Sequence, residues 1–327
     1  MSDWKEVYDG GSPEAEKDIF LEMAKQMLGI QEGTRLKLGK DRPDRTLHSK
    51  MIAGVTNASI VVDSDIPESF RVSYFQPDAL LPVAVRFSNA SAIAQPDSAP
   101  DMRGIALKIF PEGSNPHDLL MTSFPVSHAR NSRQFVDFAV LAQGPRETFM
   151  QRLVARFGED EAKRMIGNIQ QGARPCESLA LQRFWSRGAF LWGSHPVRFE
   201  LRPVSTSAAL EASSEDVDAL RSELALRLRA APVSFRLAVQ PFVDEASTPI
   251  EDAAVQWQEE VSAPVEIATL LIPAQNLDDS REKAADQVNS MAFNPWNAPP
   301  EFRPLGNLNR VRGVVYGKSA ERWQHKQ

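Results

Sequence analysis

Segments typical of strands and segments typical of helices are separated along this chain rather than alternating. Strand-like text, rich in small and β-branched residues, occupies 49–62, 83–87 and 104–110, and returns at 198–204, 233–243 and 265–272. Text with helical periodicity lies between these groups at 133–142, 146–157, 159–169 and, more weakly, 179–185, and again at 213–230. This segregated order favours an α+β fold with a closed or nearly closed antiparallel sheet.

Helices are also predicted at both ends of the chain. Ser12-Pro13 is a typical helix start, and apolar residues at helical spacing then predict a helix over 14–28. Proline-rich text at 294–305 predicts an extended arm that leads to a final helix from about Asn307.

Size and charge limit the possible partners. With 327 residues, 42% of them apolar, the chain can form one large domain or two modest ones around a buried cofactor. The net charge of -6 comes from intermixed acids and bases without a basic block, which argues against nucleic acid as a partner. The start of the chain has no apolar signal core, and no later stretch reaches the roughly 18 to 20 apolar residues of a membrane span, so a cytoplasmic protein without a membrane partner is expected.

Common catalytic motifs are not found in the sequence. The histidines, which are His48, His117, His128, His195 and His325, include no pair at helical spacing, so a zinc or non-haem iron site gains little support. The single cysteine, Cys176, excludes a cysteine-based metal cage, and an ordinary buried or helix-start cysteine is favoured over a thiolate ligand. Nucleophile elbows, Walker loops and dinucleotide fingerprints do not occur either.

Four short fragments carry the strongest information. They are Arg45-Thr-Leu-His48, Val85-Arg86-Phe87-Ser88, Asp101-Met-Arg-Gly-Ile-Ala-Leu-Lys108 and Arg312-Gly-Val-Val-Tyr316. Each fragment alone is weak, but their order and relative spacing resemble the haem catalase superfamily over about residues 35–323. Within that superfamily the chain is similar to the minimal bacterial catalase-related proteins and to the catalase-related allene oxide synthases.

The resemblance implies a fold and a domain organisation. It implies an eight-stranded antiparallel β-barrel core with flanking helices, in a single catalase-like domain over 1–327. An N-terminal helical arm would occupy 1–30, the barrel and its inserted helices 45–275, and an extended arm with the proximal haem-ligand helix 290–327. The family's C-terminal helical region would be missing.

The resemblance also implies haem b as the cofactor, with Tyr316 as its iron ligand. An anionic phenolate feeds electron density to iron, and Arg312, one helical turn earlier, can help a phenol to remain ionised. Arg45 and Arg86 would hold the two haem carboxylates by paired charged hydrogen bonds, and Phe135 would stack against the macrocycle. Without the resemblance, these would be ordinary surface arginines, a core phenylalanine and a helical Arg-Tyr pair.

The catalytic residues implied on the other side of the haem are His48, Ser88 and Thr122. His48 would take a proton from the peroxide oxygen nearest iron and return it to the outer oxygen, while Ser88 would fix the imidazole ring by a hydrogen bond. Thr122 stands where full catalases carry asparagine, and its hydroxyl has one proton to give where the amide has two.

Other departures from the family pattern also affect the prediction. Leu47 replaces the valine that usually precedes the distal histidine, and Tyr316-Gly-Lys318 lacks an aspartate that commonly follows the tyrosine. Whether Arg322 takes the place of a later arginine for a haem carboxylate is left open by the sequence.

The leading hypothesis is a haem-dependent peroxidase with weak catalase activity on hydrogen peroxide or organic hydroperoxides, which also needs a reductant. A fatty-acid hydroperoxide isomerase or lyase of the allene oxide synthase kind is the second hypothesis, motivated by Thr122 and Leu47. The third is a haem-binding sensor or storage protein that does not turn over peroxide. A homodimer formed through the N-terminal arm is a further expectation.

Overall fold

The computed structural model describes residues 4–91, 93–205, 207–210, 216–278 and 281–324. In this part of the chain the strands are β1 (Met51–Val62), β2 (Leu80–Asn89), β3 (Arg103–Ile109), β4 (His117–Thr122), β5 (Phe184–Trp185), β6 (Phe190–Trp192), β7 (His195–Pro203), β8 (Val233–Pro241) and β9 (Val265–Ile272). The helices are α1 (Pro13–Lys37), α2 (Ser132–Leu141), α3 (Phe149–Phe157), α4 (Glu159–Gly172), α5 (Ala219–Ala230), α6 (Arg281–Ser290) and α7 (Asn307–Gln324).

Eight of the described strands close into an antiparallel β-barrel. The sheet runs β5-β4-β3-β2-β1-β9-β8-β7, and β5 also pairs with β7. Trp185 of β5 lies opposite Thr122 on one side and opposite Glu200 on the other, so this two-residue strand closes the ring. The strand β6 pairs with β7 outside the ring. The predicted α+β barrel with flanking helices is therefore confirmed.

The two faces of strands β2 to β4 have different roles. Side chains alternate along a strand, and Val83, Val85 and Phe87 belong to the main hydrophobic core together with Ile105, Leu107 and Leu119. The residues between them on these strands point to the other face, where they line a cavity: Arg86, Ser88, Gly104, Ala106, Leu120 and Thr122. The barrel wall thus supplies core packing on one face and site residues on the other.

Three helices cover this outer face. Ser12 caps α1, because its Oγ accepts a hydrogen bond from the Ala15 backbone N at 3.2 Å. Phe20, Met23 and Met27 of α1 pack with Val136 of α2 and with Val311 and Val315 of α7 in a second apolar cluster. The cavity lies between this cluster and the barrel wall.

Most predicted elements are present, with one wrong assignment. The weak helical periodicity at 179–185 is misleading: Leu179–Leu181 form a single 3-10 turn, and Phe184–Trp185 form β5. Pairing with β4 and β7 determines the strand, and such distant pairing is not visible in local periodicity. The strands β4 and β6 and the helix α6 were not predicted, and α1 continues to Lys37, well beyond the predicted end.

The structure also bears on the helix predicted over 213–230, on Cys176 and on the membrane-span prediction. The predicted helix over 213–230 begins at Ala219, and residues 211–215, like His325, lie outside the described residues. Cys176 packs partly buried against the barrel core, where burial raises the pKa of its thiol to about 11. Among the described helices, none is both long and apolar enough to cross a bilayer.

Candidate functional site

All eight residues predicted to form the site line one cavity of about 330 Å³. Those from the barrel side are Arg45, His48, Arg86, Ser88 and Thr122, and those from the helical side are Phe135, Arg312 and Tyr316. Residues more than 270 positions apart therefore meet at one place, because α7 packs along α1 over the outer face of the barrel.

His48 is held in position just before β1. Its backbone has a φ of 55°, a left-handed conformation that is uncommon for residues other than glycine. The backbone N–H donates to the Ala90 carbonyl at 3.1 Å, and the His48 carbonyl accepts from Arg86 Nη2 at 2.8 Å. The imidazole Nδ1 lies 3.1 Å from Ser88 Oγ. Backbone and ring are both fixed, which leaves Nε2 as the nitrogen available to a ligand.

Gly104 provides the space for this imidazole. It lies opposite Ser88 in the β2–β3 pairing. A Cβ atom at position 104 would lie 2.6 Å from His48 Nδ1, which is too close for a real contact, and 3.0 Å from Ser88 Oγ, which is tight. The observed positions of His48 and Ser88 therefore require glycine here, a role that sequence reasoning did not assign to this residue.

The environment keeps His48 neutral. Burial lowers the pKa of His48 to about 3, and the positive charges of Arg86, Arg187 and Arg312 act in the same direction. An imidazole that is neutral at physiological pH can accept a proton. The site thus offers a base rather than a cation at this position.

Arg45 and Arg86 have no carboxylate partner among the described residues. Arg45 Nη2 donates to the carbonyls of Asn289 and Met291 at 2.8 Å each, and its guanidinium lies 4.4 Å from the centroid of the Trp323 ring. Arg86 donates to the His48 carbonyl, and its buried Nε has no hydrogen-bond partner in the protein. Burial lowers the pKa of Arg45 to about 10 and that of Arg86 to about 9. These two cations are ready to bind anionic groups.

The cavity lining strengthens this conclusion. No aspartate or glutamate occurs among the described residues that line the cavity, although four arginines do. Buried charges are normally paired. A ligand with two carboxylates would supply the missing partners of Arg45 and Arg86, and the haem carboxylates fit that requirement.

Tyr316 lies on α7, across the cavity from the barrel wall. The Arg312 guanidinium lies 5.3 Å from the centroid of the Tyr316 ring, and its Nη1 donates to Asn309 Oδ1 at 2.9 Å. Since residues four apart lie on the same side of a helix, Arg312 is placed to act on the phenol oxygen. This pair therefore fits the donor set that binds haem iron through a phenolate.

Thr122 and Phe135 line two further parts of the cavity. Thr122 Oγ1 lies 3.3 Å from the Phe124 carbonyl and 3.5 Å from Arg187 Nη1. Phe135 belongs to the helical cluster, with its ring centroid 5.0 Å from that of His128. Leu47, the other departure from the family pattern, also faces the cavity.

The cavity lining includes one arginine that the sequence did not indicate, and it does not include Arg322, whose role the sequence left open. Arg187, between β5 and β6, lines the cavity, and no signal in the sequence singled it out. Arg322 is exposed and donates to the Leu28 carbonyl at 3.2 Å, outside the cavity lining. Trp323, the residue after Arg322, lines the cavity and stacks on Arg45.

Comparisons with known proteins agree with this geometry. Residues 36–155 match the catalase family model. The chain is 29% identical over 255 residues to a catalase-related peroxidase from Mycolicibacterium paratuberculosis, a match that covers 74% of this chain and 77% of that protein.

Solved structures with the same fold include two catalases. A bacterial catalase superposes with a TM-score of 0.64 at 17% identity, and a fungal catalase with a TM-score of 0.69 at 15% identity; both matches cover 90% of this chain. The chain spans 60% and 62% of the lengths of these two proteins. At such identities the superpositions establish the fold.

Proposed function

We propose that this chain, whose residues 36–155 match the catalase family model and whose fold is that of catalases, is a haem b-dependent peroxidase with weak catalase activity. Its substrates would be hydrogen peroxide or organic hydroperoxides, and a reductant would complete each turnover. The observation that carries the proposal is the cavity itself, in which a neutral His48 and the Arg312–Tyr316 pair line opposite walls and the buried arginines lack carboxylates.

Three kinds of residue would hold the cofactor. Arg45 and Arg86 would bind its two carboxylates, Tyr316 would bind the iron, and Phe135 would pack against the ring from the helical side. When bound, the haem supplies the redox-active iron that reacts with peroxide. Arg312, whose guanidinium lies 5.3 Å from the centroid of the Tyr316 ring, would pack against the iron ligand.

His48 would move the proton that peroxide chemistry requires. With its Nδ1–H donating to Ser88 Oγ, the ring presents a basic Nε2 to the cavity. Nε2 would accept the proton of one peroxide oxygen and donate it to the other, so that the departing oxygen leaves as water or an alcohol. Gly104 and Ser88 would keep the ring oriented throughout.

Thr122 supports the proposal of weak rather than strong catalase activity. Its hydroxyl donates to the Phe124 carbonyl at 3.3 Å, which engages the one proton it has, while its oxygen accepts from Arg187 Nη1 at 3.5 Å. A hydroxyl has one proton to donate, whereas the asparagine amide of full catalases has two. Thr122 would therefore be a poorer hydrogen-bond donor than asparagine to a second peroxide molecule acting as the reductant. A separate reductant would then compete more successfully with that second peroxide.

The first test is the absorption spectrum of protein produced with ample haem, compared between the wild type and Tyr316→Phe. We expect a high-spin ferric haem spectrum in the wild type that is shifted or lost in the variant. A wild type that retains no haem would refute the proposal, and an unchanged spectrum in Tyr316→Phe would refute the assignment of the ligand.

The second test separates a peroxidase from a haem-binding sensor. Replacing His48 with alanine should lower the rate of peroxide turnover by about 100 to 10,000 fold, which is the usual contribution of acid–base catalysis. The haem content should stay the same. A sensor would lose little in this assay. Conversion of a lipid hydroperoxide to a rearranged product without any reductant would instead identify an isomerase.

A further inference from the structure

We infer that Arg187 forms a binding site for the carboxylate of an organic-acid hydroperoxide, in the cavity beside Thr122 and away from Arg45. This inference rests on the proposed function and names the substrate class of the same site. Arg187 lies near Arg312, whereas Arg45 stacks on Trp323, about three turns further along α7. Arg187 and Arg312 therefore lie in one part of the cavity, and Arg45 lies in another.

The backbone at Arg187 argues for a functional role. It has a φ of 63°, in the left-handed region that glycine and asparagine adopt far more easily than arginine. Strained residues of this kind persist where the surroundings fix them, and they cluster at ligand sites. The neighbouring Ser186 donates from Oγ to the Gly188 carbonyl at 2.9 Å, which closes the turn around Arg187.

The hydrogen bonds of Arg187 leave most of its donors free. Its Nη1 lies 3.3 Å from Met102 Sδ and 3.5 Å from Thr122 Oγ1, both weak contacts. No carboxylate lines this cavity among the described residues, and none acts on the charge of Arg187, whose guanidinium has five N–H donors. Burial and the nearby Arg312 charge together lower the pKa of Arg187 to about 10.

Charge balance points to an anion at this position. Haem would bring two carboxylates, which match Arg45 and Arg86. Arg312 donates to Asn309 Oδ1, whereas Arg187 has only the weak contacts to Met102 and Thr122, in a lining without acidic residues among those described. A buried charge needs a partner, and the ligand that enters the cavity is the partner available.

A carboxylate fits this position best. A guanidinium binds a carboxylate through two parallel hydrogen bonds. Arg187 is close enough to His48 to lower the pKa of the imidazole, and apolar side chains such as Leu47 and Leu120 line the same cavity. A molecule with a carboxylate, an apolar chain and a hydroperoxide can therefore contact Arg187, the apolar wall and His48.

The test compares the hydroperoxide of linoleic acid with its methyl ester, which differ in the negative charge, and uses hydrogen peroxide as a substrate without either group. In haem-loaded wild type, we expect kcat/KM to be about 10 to 100 fold higher for the acid than for the ester, the usual size of one charged hydrogen-bonded pair. Arg187→Asn, which suits the left-handed backbone, should reduce the ratio of kcat/KM for the acid to kcat/KM for the ester to about 1. Both substrates are measured on the same variant, so a general change in peroxide turnover cancels from this ratio.

Two further variants check the assignment. Arg187→Lys keeps the charge and should retain part of the preference for the acid. Arg152→Gln changes a half-buried arginine of α3 that donates to the Leu141 and Pro145 carbonyls outside the cavity, and it should keep the full preference.

An equilibrium readout accompanies the kinetics. Titration of the haem-loaded protein with hexanoate, followed by the haem absorption, should give a saturable change in the wild type that hexanamide does not produce and that Arg187→Asn lacks. If acid and ester react equally in the wild type, or if Arg187→Asn loses haem in place of the preference, the inference is wrong while the proposed function stands. If no hydroperoxide is turned over at all, the proposed function fails with it.

Discussion

At the scale of single residues, the position of His48 depends on the absence of a side chain at Gly104. We expect Gly104→Ala to displace the imidazole, since the new Cβ would meet Nδ1 at 2.6 Å. A displacement of this kind should lower peroxide turnover by about 100 fold without loss of haem. The measurement is kcat together with the haem content of the purified protein.

The matched control is Gly33→Ala near the C-terminal end of α1. A Cβ there meets no atom within 4 Å, so this variant should keep full activity and gain up to about 1 kcal/mol of stability. Equal activities of Gly104→Ala and the wild type would show that His48 does not need the glycine.

Arg45 provides a second test at this scale. Arg45→Gln removes a cation whose described partners are only backbone carbonyls and aromatic rings. We expect the haem to dissociate about 10 to 100 fold faster, because one charged hydrogen-bonded pair is lost. Haem transfer to an excess of apomyoglobin measures this rate. Arg42→Gln, an exposed arginine three residues earlier, should leave the rate unchanged.

At the scale of elements, α7 is fixed by a buried ion cluster near its start. Arg310 donates from Nε to Glu16 of α1 at 2.6 Å and from Nη1 to Glu6 at 2.8 Å and to Glu251 at 3.1 Å. The cluster thus connects the N-terminal segment, α1 and a loop after β8 to the helix that carries Tyr316.

Removing the central cation of this cluster should destabilise the protein strongly. Arg310→Gln leaves buried carboxylates without their partner, and such changes cost about 3 to 5 kcal/mol. Urea denaturation measures the loss. The comparison is Lys163→Gln, which breaks an exposed pair with Glu159 in α4 and should cost less than about 1 kcal/mol. Similar losses in the two variants would mean that the cluster does not hold α7.

At the scale of the whole molecule, three buried histidines make the fold sensitive to acid. Burial lowers the pKa of His48, His117 and His128 to about 3 in each case. When the pH falls below about 6.5, the ordinary pKa of histidine, these side chains become protonated in the unfolded chain but stay neutral in the folded chain. Stability is therefore complete above pH 6.5 and falls as the pH decreases towards 3, by up to about 2 kcal/mol per histidine at pH 5.

His117 allows a clean measurement, because its ring packs on Phe302 and contacts Tyr74 within the barrel core. The His117→Gln variant should take up about one proton fewer on unfolding at pH 5 than the wild type. Its free energy of unfolding should therefore depend less on pH between 7 and 5. Urea titrations at pH 7, 6 and 5 give the slopes. Parallel slopes in both proteins would place the acid sensitivity elsewhere.

The strands and helices of the main fold could be predicted from local signals, whereas the barrel and the site residues were implied by the family resemblance of four fragments. Text rich in small and β-branched residues predicted β1 to β3 and β7 to β9, and the fragments named His48, Arg86 and Tyr316, which line one cavity. Their meeting in one cavity follows from strand registers such as Ser88 opposite Gly104. The chemical roles of these residues stay predictions until the variants are measured.

Tertiary structure alone decided the rest. The barrel closes through β5, whose two residues have no periodicity to read and gain their conformation from pairing with β4 and β7. Arg187 lies two residues after β5 and is an ordinary arginine in the sequence. Only the folded chain gives it a half-buried position in the cavity lining, a left-handed backbone and no carboxylate neighbour in that lining. The sequence by itself determined the long strands and helices and the four fragments that contribute to the cavity, since propensity and spacing act over a few residues. The closure of the barrel and the charge balance of the cavity depend on contacts between distant segments, and those exist only in the folded chain.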